Sequence, residues 1–258
     1  MTEEIRGLVI RTVDIKETDR LVVIFSEEMG VVTALARGAR SLKSRKLAAT
    51  MQFCYGRYVL YKQGDKYWIK EAELIENFFD IRRSIEGLAL ANYICEVLSD
   101  VTVEEAERDL LRLSLNSLYA ISNGLYSVEK IKAVFEIRAV SILGFMPNVL
   151  SCHQCDGKGG DFFFDIMGGV IECRDCHEAK MLSHAEHPDP HETHIVCILS
   201  EGAKTALGYS IYSPIERVFS FKISDEDMRL FSRATEEYIL NHLGHGFKSL
   251  DFYKSLLR

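Results

Sequence analysis

The first 78 residues carry the short-period hydrophobic pattern of β-strands. Five runs rich in Val, Ile, Leu and aromatic residues are separated by polar turns, and they span 8–13, 21–25, 31–36, 53–61 and 67–74. Gln63-Gly64-Asp65 joins the last two runs with a hairpin sequence. Five short strands in this space predict a small closed barrel of the OB type, although an SH3-like barrel has nearly the same pattern.

After residue 81 the hydrophobic spacing changes to that of amphipathic helices. Leu90, Ile94 and Leu98 lie four residues apart and would share one helix face. Thr102 with Glu105 predicts a capping box at the start of a second helix. Six helices are predicted, near 90–98, 102–118, 127–143, 200–207, 225–243 and 248–256.

Capping residues mark the starts of two of these helices. Ser127 is the predicted N-cap of the third helix, and Ser224 with Asp227 gives the capping signal of the helix that follows. The glutamates on the helices are predicted to lie on solvated faces and to have no catalytic role.

Residues 148–197 break the helical pattern and contain two C-x2-C pairs separated by seventeen residues. That spacing is typical of structural zinc, because two residues between thiolates let both sulfurs reach one tetrahedral ion. One structural Zn²⁺ is therefore predicted, with redox dithiol pairs as the alternative. Its four ligands would be Cys152, Cys155, Cys173 and Cys176.

The segment between the cysteine pairs, 161–171, has the pattern of a short hairpin. It is expected to bury almost no apolar core, so the metal would have to supply its folding free energy. The three remaining cysteines are predicted to be buried hydrophobic residues. They are Cys54, Cys95 and Cys197.

No catalytic machinery is predicted. Four thiolates leave no open position on a zinc ion. His184 and Glu186 imitate the H-x-E of zinc deaminases but follow both cysteine pairs, and His191 and His194 are one residue too close for an HExxH helix. A solvated loop is therefore favoured for the histidine cluster at 184–194 over a second metal site or the active site of a zinc nuclease or deaminase. No P-loop, GxGxxG or GxSxG motif occurs. We therefore predict that the chain has no catalytic residue.

Charge is unevenly distributed along the chain. The formal net charge is −7, which argues against indiscriminate nucleic-acid binding, yet residues 1–78 hold 13 Lys and Arg against 11 Asp and Glu. From Met29 to Gly64 there is no acidic residue at all. Five of the seven cations in this window form what we call the basic strip: Arg37, Arg40, Lys43, Arg45 and Lys46.

The basic strip lies between two predicted strands and is followed by aromatic residues, an arrangement suited to phosphates and bases of nucleic acid. The five strip residues are predicted to contact phosphates. Tyr55, Tyr58 and Tyr61 are candidates for stacking on bases, but strand alternation puts Tyr58 on the other face, so at least one belongs to the barrel core. The alternatives are a solvated basic loop and a protein-interaction adaptor whose strip docks acidic peptides.

The patterns together predict an α+β multidomain protein: a five-stranded OB-type barrel that binds DNA at 1–79, an α-helical domain at 80–147 and 198–258, and an inserted four-cysteine zinc finger at 148–197. No apolar run reaches 18 residues, and the N-terminus lacks the hydrophobic region of a signal peptide. A cytoplasmic protein is expected.

Several stretches resemble the RecO family of bacterial recombination mediators along essentially the whole chain. The most specific are Glu17-Thr-Asp-Arg-Leu-Val22, Ala36-Arg-Gly-Ala-Arg40 with Lys43-Ser-Arg45, and Leu143-Gly-Phe145 with Pro147. Gln52-Phe53, Tyr55-Gly56 and Lys248-Ser-Leu-Asp-Phe252 also resemble the family. Some of its members lack the cysteines, which favours a scaffolding role for the metal.

The resemblance implies an OB fold, a helical domain and a zinc finger in a DNA-repair protein without enzymatic activity. It also implies binding of single- and double-stranded DNA and annealing of complementary strands. The expected partners are RecR, the single-stranded-DNA-binding protein SSB and the RecA pathway, since RecO-like proteins help to load RecA onto SSB-coated strands.

Overall fold

The first five strands of the computed structural model close into a barrel. The structure describes residues 2–100, 108–157, 159–186 and 195–257, with the backbone alone for 184–186. The predicted capping pair Thr102 and Glu105, the side chain of His184, and His187, His191 and His194 fall outside the described residues.

Eight strands and seven α-helices occur in the described residues. The strands are β1 (Thr2–Ile15), β2 (Asp19–Ser26), β3 (Gly30–Ala36), β4 (Cys54–Gln63), β5 (Lys66–Asn77), β6 (Phe162–Asp165), β7 (Val170–Cys173) and β8 (Val196–Leu199). The helices are α1 (Ile85–Asp100), α2 (Arg108–Ser122), α3 (Val128–Ile142), α4 (Arg174–Glu186), α5 (Glu201–Tyr212), α6 (Asp225–Leu243) and α7 (Lys248–Leu256).

The barrel has the strand order β1-β2-β3-β5-β4, closed by antiparallel pairing of β4 with β1. β3 and β5 pair in parallel, with Ala34 opposite Tyr67 and Leu35 opposite Trp68. This topology confirms the predicted OB-type barrel. Alternate side chains of every strand point inward and form a common core, which includes Ile5, Val9, Val22, Ile24, Val32, Tyr58, Leu60 and Ile69.

Close approach of two barrel strands requires a glycine at position 7. A Cβ atom on Gly7 would lie 2.4 Å from Ile24 Cγ2 and 2.6 Å from the Phe25 carbonyl oxygen. Any larger residue would therefore push β1 away from β2 and open the barrel wall.

The chain divides into two compact units, and the barrel belongs to the first, Met1–Leu125 with Phe247–Arg258. In this unit α7 packs on α1: the Glu96 carboxylate accepts hydrogen bonds from the backbone N–H and the hydroxyl of Ser249. Gln52 Nε2 donates to the Ile10 carbonyl at 3.0 Å and to Asn92 Oδ1 at 3.1 Å, which ties α1 to the barrel.

The second unit, Tyr126–Gly246, is built around α3. The Ser127 hydroxyl accepts the Lys130 N–H, and the Ser224 hydroxyl accepts the Asp227 N–H, so both predicted N-caps are confirmed. Gly244 ends α6 with φ of 76°, a left-handed conformation that favours glycine.

One glutamate of α3 contradicts the prediction of solvated faces. Glu136 is fully buried, and its carboxylate lies 2.9 Å from Lys132 Nζ and accepts the Thr235 hydroxyl at 2.9 Å. Lys132 also contacts Glu236 at 2.8 Å. The prediction failed because α3 is buried on nearly all sides, and helical spacing alone does not show a second packing face.

The cysteine-bearing segment also has more structure than predicted. β6 lies between β7 and β8 in a three-stranded sheet, and α4 starts directly after Cys173. Phe162, Phe164 and Ile171 are fully buried, with Phe164 stacked on Tyr238 at 5.2 Å between ring centroids. The expectation that this segment buries almost no apolar core is therefore wrong, because β8 and α6 cover it.

Within the described ranges, no helix combines the length and the apolar character needed to cross a lipid bilayer.

Candidate nucleic-acid interface and metal centre

The basic strip lies in the connection between β3 and β4, which we call the basic loop (residues 37–53). The loop is a series of tight turns: the N–H of Ser41 reaches the Gly38 carbonyl at 3.3 Å, and the N–H of Ser44 reaches the Ser41 carbonyl at 2.8 Å. Leu47 then bonds back to Ser44 at 3.2 Å. Since its own backbone satisfies these groups, the loop holds a defined shape.

One side of the basic loop is fixed to the turn between β1 and β2. Arg40 Nη1 donates to the carbonyls of Lys16 at 3.0 Å and Glu17 at 3.1 Å, and Arg40 Nε lies 3.2 Å from Asp14 Oδ2. The Gly38 N–H donates to Asp19 Oδ1 at 2.9 Å. Arg40 therefore holds the loop in place and has part of its charge neutralised by a carboxylate.

The other side of the loop is fixed to β5. Lys46 Nζ donates to the Ile69 carbonyl at 3.2 Å. Partial burial lowers the pKa of Lys46, and the charge of Asp19 offsets part of that effect. The Arg37 guanidinium lies 4.1 Å from the ring centre of Trp68, the residue that precedes Ile69.

Two cations of the basic strip remain. Lys43 and Arg45 are exposed, and neither has a hydrogen-bond or ion-pair partner in the part of the chain that the structure describes. They are the strip residues whose charges are most available to an external anion. The basic loop thus has anchored cations at its two ends and unpaired cations between them.

Arg57 and Lys62, the two cations of the acid-free window outside the strip, are held by the barrel. Arg57 Nε lies 3.0 Å from Glu73 Oε2, and its Nη1 lies 3.5 Å from Glu4 Oε1, so its charge is neutralised on the barrel wall. Lys62 Nζ lies 5.7 Å from the Tyr67 ring. This wall carries paired charges of both signs, unlike the basic loop.

The three tyrosines considered for stacking have different environments. Tyr58 is fully buried and donates to the Ala49 carbonyl at 2.7 Å, so it is the predicted core residue and also supports the basic loop. Tyr55 donates to Glu27 at 3.1 Å. Tyr61 is partly exposed and stacks on Trp68, with ring centroids 6.3 Å apart and planes 17° from parallel.

The candidate metal centre lies in the second unit. One sulfur from each of Cys152, Cys155, Cys173 and Cys176 lies within 4.8 Å of the other three. Cys155 Sγ and Cys173 Sγ are 3.7 Å apart, far beyond the ~2.0 Å of a disulfide. A tetrahedron with Zn–S bonds of about 2.3 Å has edges of about 3.8 Å, so the spacing fits a tetrahedral thiolate site.

Backbone N–H groups prepare Cys152 to act as a thiolate ligand. The Cys173 N–H donates to Cys152 Sγ at 3.2 Å. Burial raises the pKa of the Cys152 thiol, but hydrogen bonds from the backbone of Cys173, Cys155 and Gln154 outweigh it and lower the pKa to about 6. The donor set therefore suits a soft or borderline cation held by four sulfurs.

Comparison with known proteins covers both units. A family model described as "Recombination protein O N terminal" matches residues 1–78, and one described as "Recombination protein O C terminal" matches residues 82–251. The chain belongs to the RecO family. The RecO boundary at 78 falls at the end of the barrel, and the basic loop therefore lies wholly within the RecO N-terminal module.

Curated relatives match this RecO family member over nearly its full length, and each bears the name "DNA repair protein RecO". The protein of Acetivibrio thermocellus is 35% identical over 254 residues, which cover 98% of this chain and 96% of the relative. That of Clostridium kluyveri is 29% identical over 257 residues, covering 98% and 93%. That of Listeria monocytogenes serotype 4b is 27% identical over 255 residues, covering 98% and 94%. These names state a DNA repair protein and no catalytic activity.

The residue that sequence reasoning missed in this RecO barrel is Trp68. It lies between Arg37 and Tyr61 and links the basic loop to the β4–β5 hairpin. Its Nε1 atom is buried with no hydrogen-bond partner in the described residues. A hint was present in the sequence, since this is the single Trp of the chain and it lies three residues after the hairpin turn.

Proposed function

We propose that this RecO family protein binds single- and double-stranded DNA through the basic strip, without catalysing a reaction. One observation carries the proposal: a structured loop presents Lys43 and Arg45 without a carboxylate partner among the described residues, inside a window that has no acidic residue. Contacts to phosphates carry no sequence information, so binding should be largely independent of sequence.

Membership of the RecO family supports a wider role. We propose that it anneals complementary strands and, together with RecR, loads RecA onto SSB-coated single-stranded DNA. It would act in the cytoplasm at the nucleoid. The functional parts would be the DNA-binding barrel at 1–79, the helical domain at 80–147 and 198–258, and the finger at 148–197.

We propose that the four-cysteine cluster holds one structural Zn²⁺. Support comes from the all-sulfur donor set and its tetrahedral spacing. Four thiolates would complete the coordination of the ion, so zinc would cross-link the turn at 152–155 to the end of β7 and the first turn of α4. Measured zinc should be one per chain and should be lost after Cys173→Ser.

DNA binding is tested by fluorescence anisotropy with labelled single-stranded DNA at several salt concentrations. If all five strip cations neutralise phosphates, the log-log salt slope is about −3.5; if Arg40 and Lys46 serve only as anchors, it is about −2. Replacement of all five residues by Ala should abolish binding, with circular dichroism confirming that the variant is folded.

An acidic peptide provides the competing ligand in the same assay. The adaptor alternative predicts that a poly-glutamate peptide displaces the DNA and binds with comparable affinity. The DNA-binding proposal predicts displacement by unlabelled DNA only. Unchanged DNA affinity in the five-residue variant would remove the basic strip as the binding site.

A further inference from the structure

Leu42, in the middle of the basic strip, is an unusually exposed apolar residue. Its side chain is 94% exposed, whereas the next most exposed large hydrophobic residue in the described ranges, Leu182, is 71% exposed. A single exposed leucine is ordinary on a protein surface, so exposure alone assigns it no role. The role of Leu42 is indicated by the hydrogen-bonded turn that holds it and by the charged residues beside it.

The backbone holds Leu42 at the tip of a turn. The hydrogen bond from the Ser44 N–H to the Ser41 carbonyl, at 2.8 Å, closes a turn in which Leu42 occupies the first central position. Arg40 fixes the chain before this turn to the β1–β2 turn, and Lys46 fixes the chain after it to β5. The apolar side chain is therefore presented outward on a supported loop.

The charges around Leu42 define the partner that it fits. Lys43 is its neighbour in the chain and Arg45 is three residues away, and both are exposed without partners in the described part of the protein. An apolar tip beside two cations matches an apolar stack of bases beside phosphates. In nucleic-acid complexes, leucine is among the side chains that enter base steps as wedges and partly unstack them.

We infer that Leu42 is a wedge that inserts between adjacent bases of DNA bound at the basic strip. The inference rests on the proposed DNA-binding function and adds a specific mode of contact to it. Lys43 and Arg45 would hold the phosphates on either side of the opened step. A second protein is a poorer partner, because one leucine side chain offers too little apolar area for a stable protein interface.

The wedge is tested with 2-aminopurine, a base analogue whose fluorescence rises when it is unstacked. We expect wild-type protein to raise the fluorescence of 2-aminopurine placed within a short single-stranded oligonucleotide, with anisotropy of an end label recording binding. Leu42→Ser should remove most of the fluorescence rise and leave the salt slope of binding unchanged, because no phosphate contact is lost.

Two control variants isolate the wedge. Leu42→Met keeps an apolar side chain that can enter a base step, and it should retain the fluorescence rise. Leu182→Ser removes the next most exposed leucine, which lies on α4, and should behave as wild type.

The outcomes separate the wedge from the binding site that it needs. A fluorescence rise in Leu42→Ser equal to that of wild type would overturn the wedge and leave DNA binding intact. An anisotropy increase that shows binding by wild type, without a rise in 2-aminopurine fluorescence, would also overturn the wedge and leave DNA binding intact. Absence of any anisotropy change in wild type would contradict the proposed function and, with it, the wedge.

Discussion

Lys132 shows how much a single buried charge contributes to this fold. It is 2% exposed and lies against two carboxylates, those of Glu136 and Glu236. Burial acts to lower the pKa of Lys132, but the two carboxylates outweigh it and raise the pKa above its usual value. The ammonium therefore stays charged, and α3 is joined to α6 through it.

Removal of Lys132 should be strongly destabilising, because it leaves buried carboxylate uncompensated. For Lys132→Met we expect a loss of about 3–5 kcal/mol in the free energy of unfolding, measured with denaturant. Lys130→Met is a matched control on the same helix, since Lys130 Nζ donates to the Phe221 carbonyl and lies over two aromatic rings. Equal stability of Lys132→Met and wild type would show that Lys132 does not form ion pairs with Glu136 and Glu236.

Asp227 acts at the scale of elements, because it connects the starts of two helices. Its carboxylate accepts the hydroxyls of Ser200, the N-cap of α5, and Ser224, the N-cap of α6. These hydrogen bonds lower the pKa of Asp227 below its ordinary value of 3.8. Gly202 leaves room for the carboxylate, since a Cβ there would lie 2.3 Å from Asp227 Oδ2.

The depressed pKa gives a pH-dependent prediction for Asp227→Asn. The stabilisation by the carboxylate is fully present above about pH 3.8, its unfolded value, and is lost as the pH falls through the lower folded value. Wild type should therefore have a higher melting temperature than Asp227→Asn at pH 7, and the difference should shrink on acidification below pH 4. A difference that stayed constant across this range would exclude the charge as its cause.

The cysteine-bearing segment packs its apolar side chains against β8 and α6, so loss of the proposed metal should not unfold the whole chain. Cys173→Ser with Cys176→Ser should lose zinc and lower the melting temperature, yet retain DNA binding with the wild-type salt slope, because the basic loop belongs to the other unit. Loss of DNA binding in this folded variant would contradict a purely structural role for the metal.

Zinc affinity should also decrease as the pH is lowered. Hydrogen bonds with the neighbouring cysteine thiols, together with burial, raise the pKa of the Cys176 thiol, so at neutral pH metal-free protein holds a proton there that zinc must displace. Competition with a chelator, measured from pH 8 to pH 6, should show weaker zinc binding at the lower pH. A pH-independent affinity would mean that the thiols are already ionised.

The elements that sequence predicts well are those set by local pattern. All five barrel strands and the caps at Ser127 and Ser224 follow from hydrophobic period and side-chain chemistry. The burial of Glu136 does not, because it depends on α6, almost a hundred residues later in the chain. For the same reason the sequence could not distinguish anchoring from unpaired cations in the basic loop. Arg40 and Lys46 are anchors because they contact Asp14 and the Ile69 carbonyl, which lie far away in the chain.

At the scale of the whole molecule, charge is divided between the two units. The unit with the barrel, Met1–Leu125 with Phe247–Arg258, holds 20 Lys and Arg against 20 Asp and Glu. Tyr126–Gly246 holds 11 against 18 and thus carries the entire net charge of −7. A DNA strand is therefore electrostatically favoured on the barrel unit, and within it on the window that lacks acids.

The proposed phosphate binding by Lys43 and Arg45 depends on their position in the basic loop, and a pair of charge-matched variants tests this most directly. The first double variant combines Lys43→Ala with Arg45→Ala, and the second combines Arg83→Ala with Arg112→Ala. Both remove two positive charges from the barrel unit. In salt-dependent anisotropy with single-stranded DNA, the first variant should bind more weakly, with a slope shallower by about 1.4, and the second should retain the wild-type slope. Equal weakening in both variants would show that net charge, and not the basic loop, governs binding.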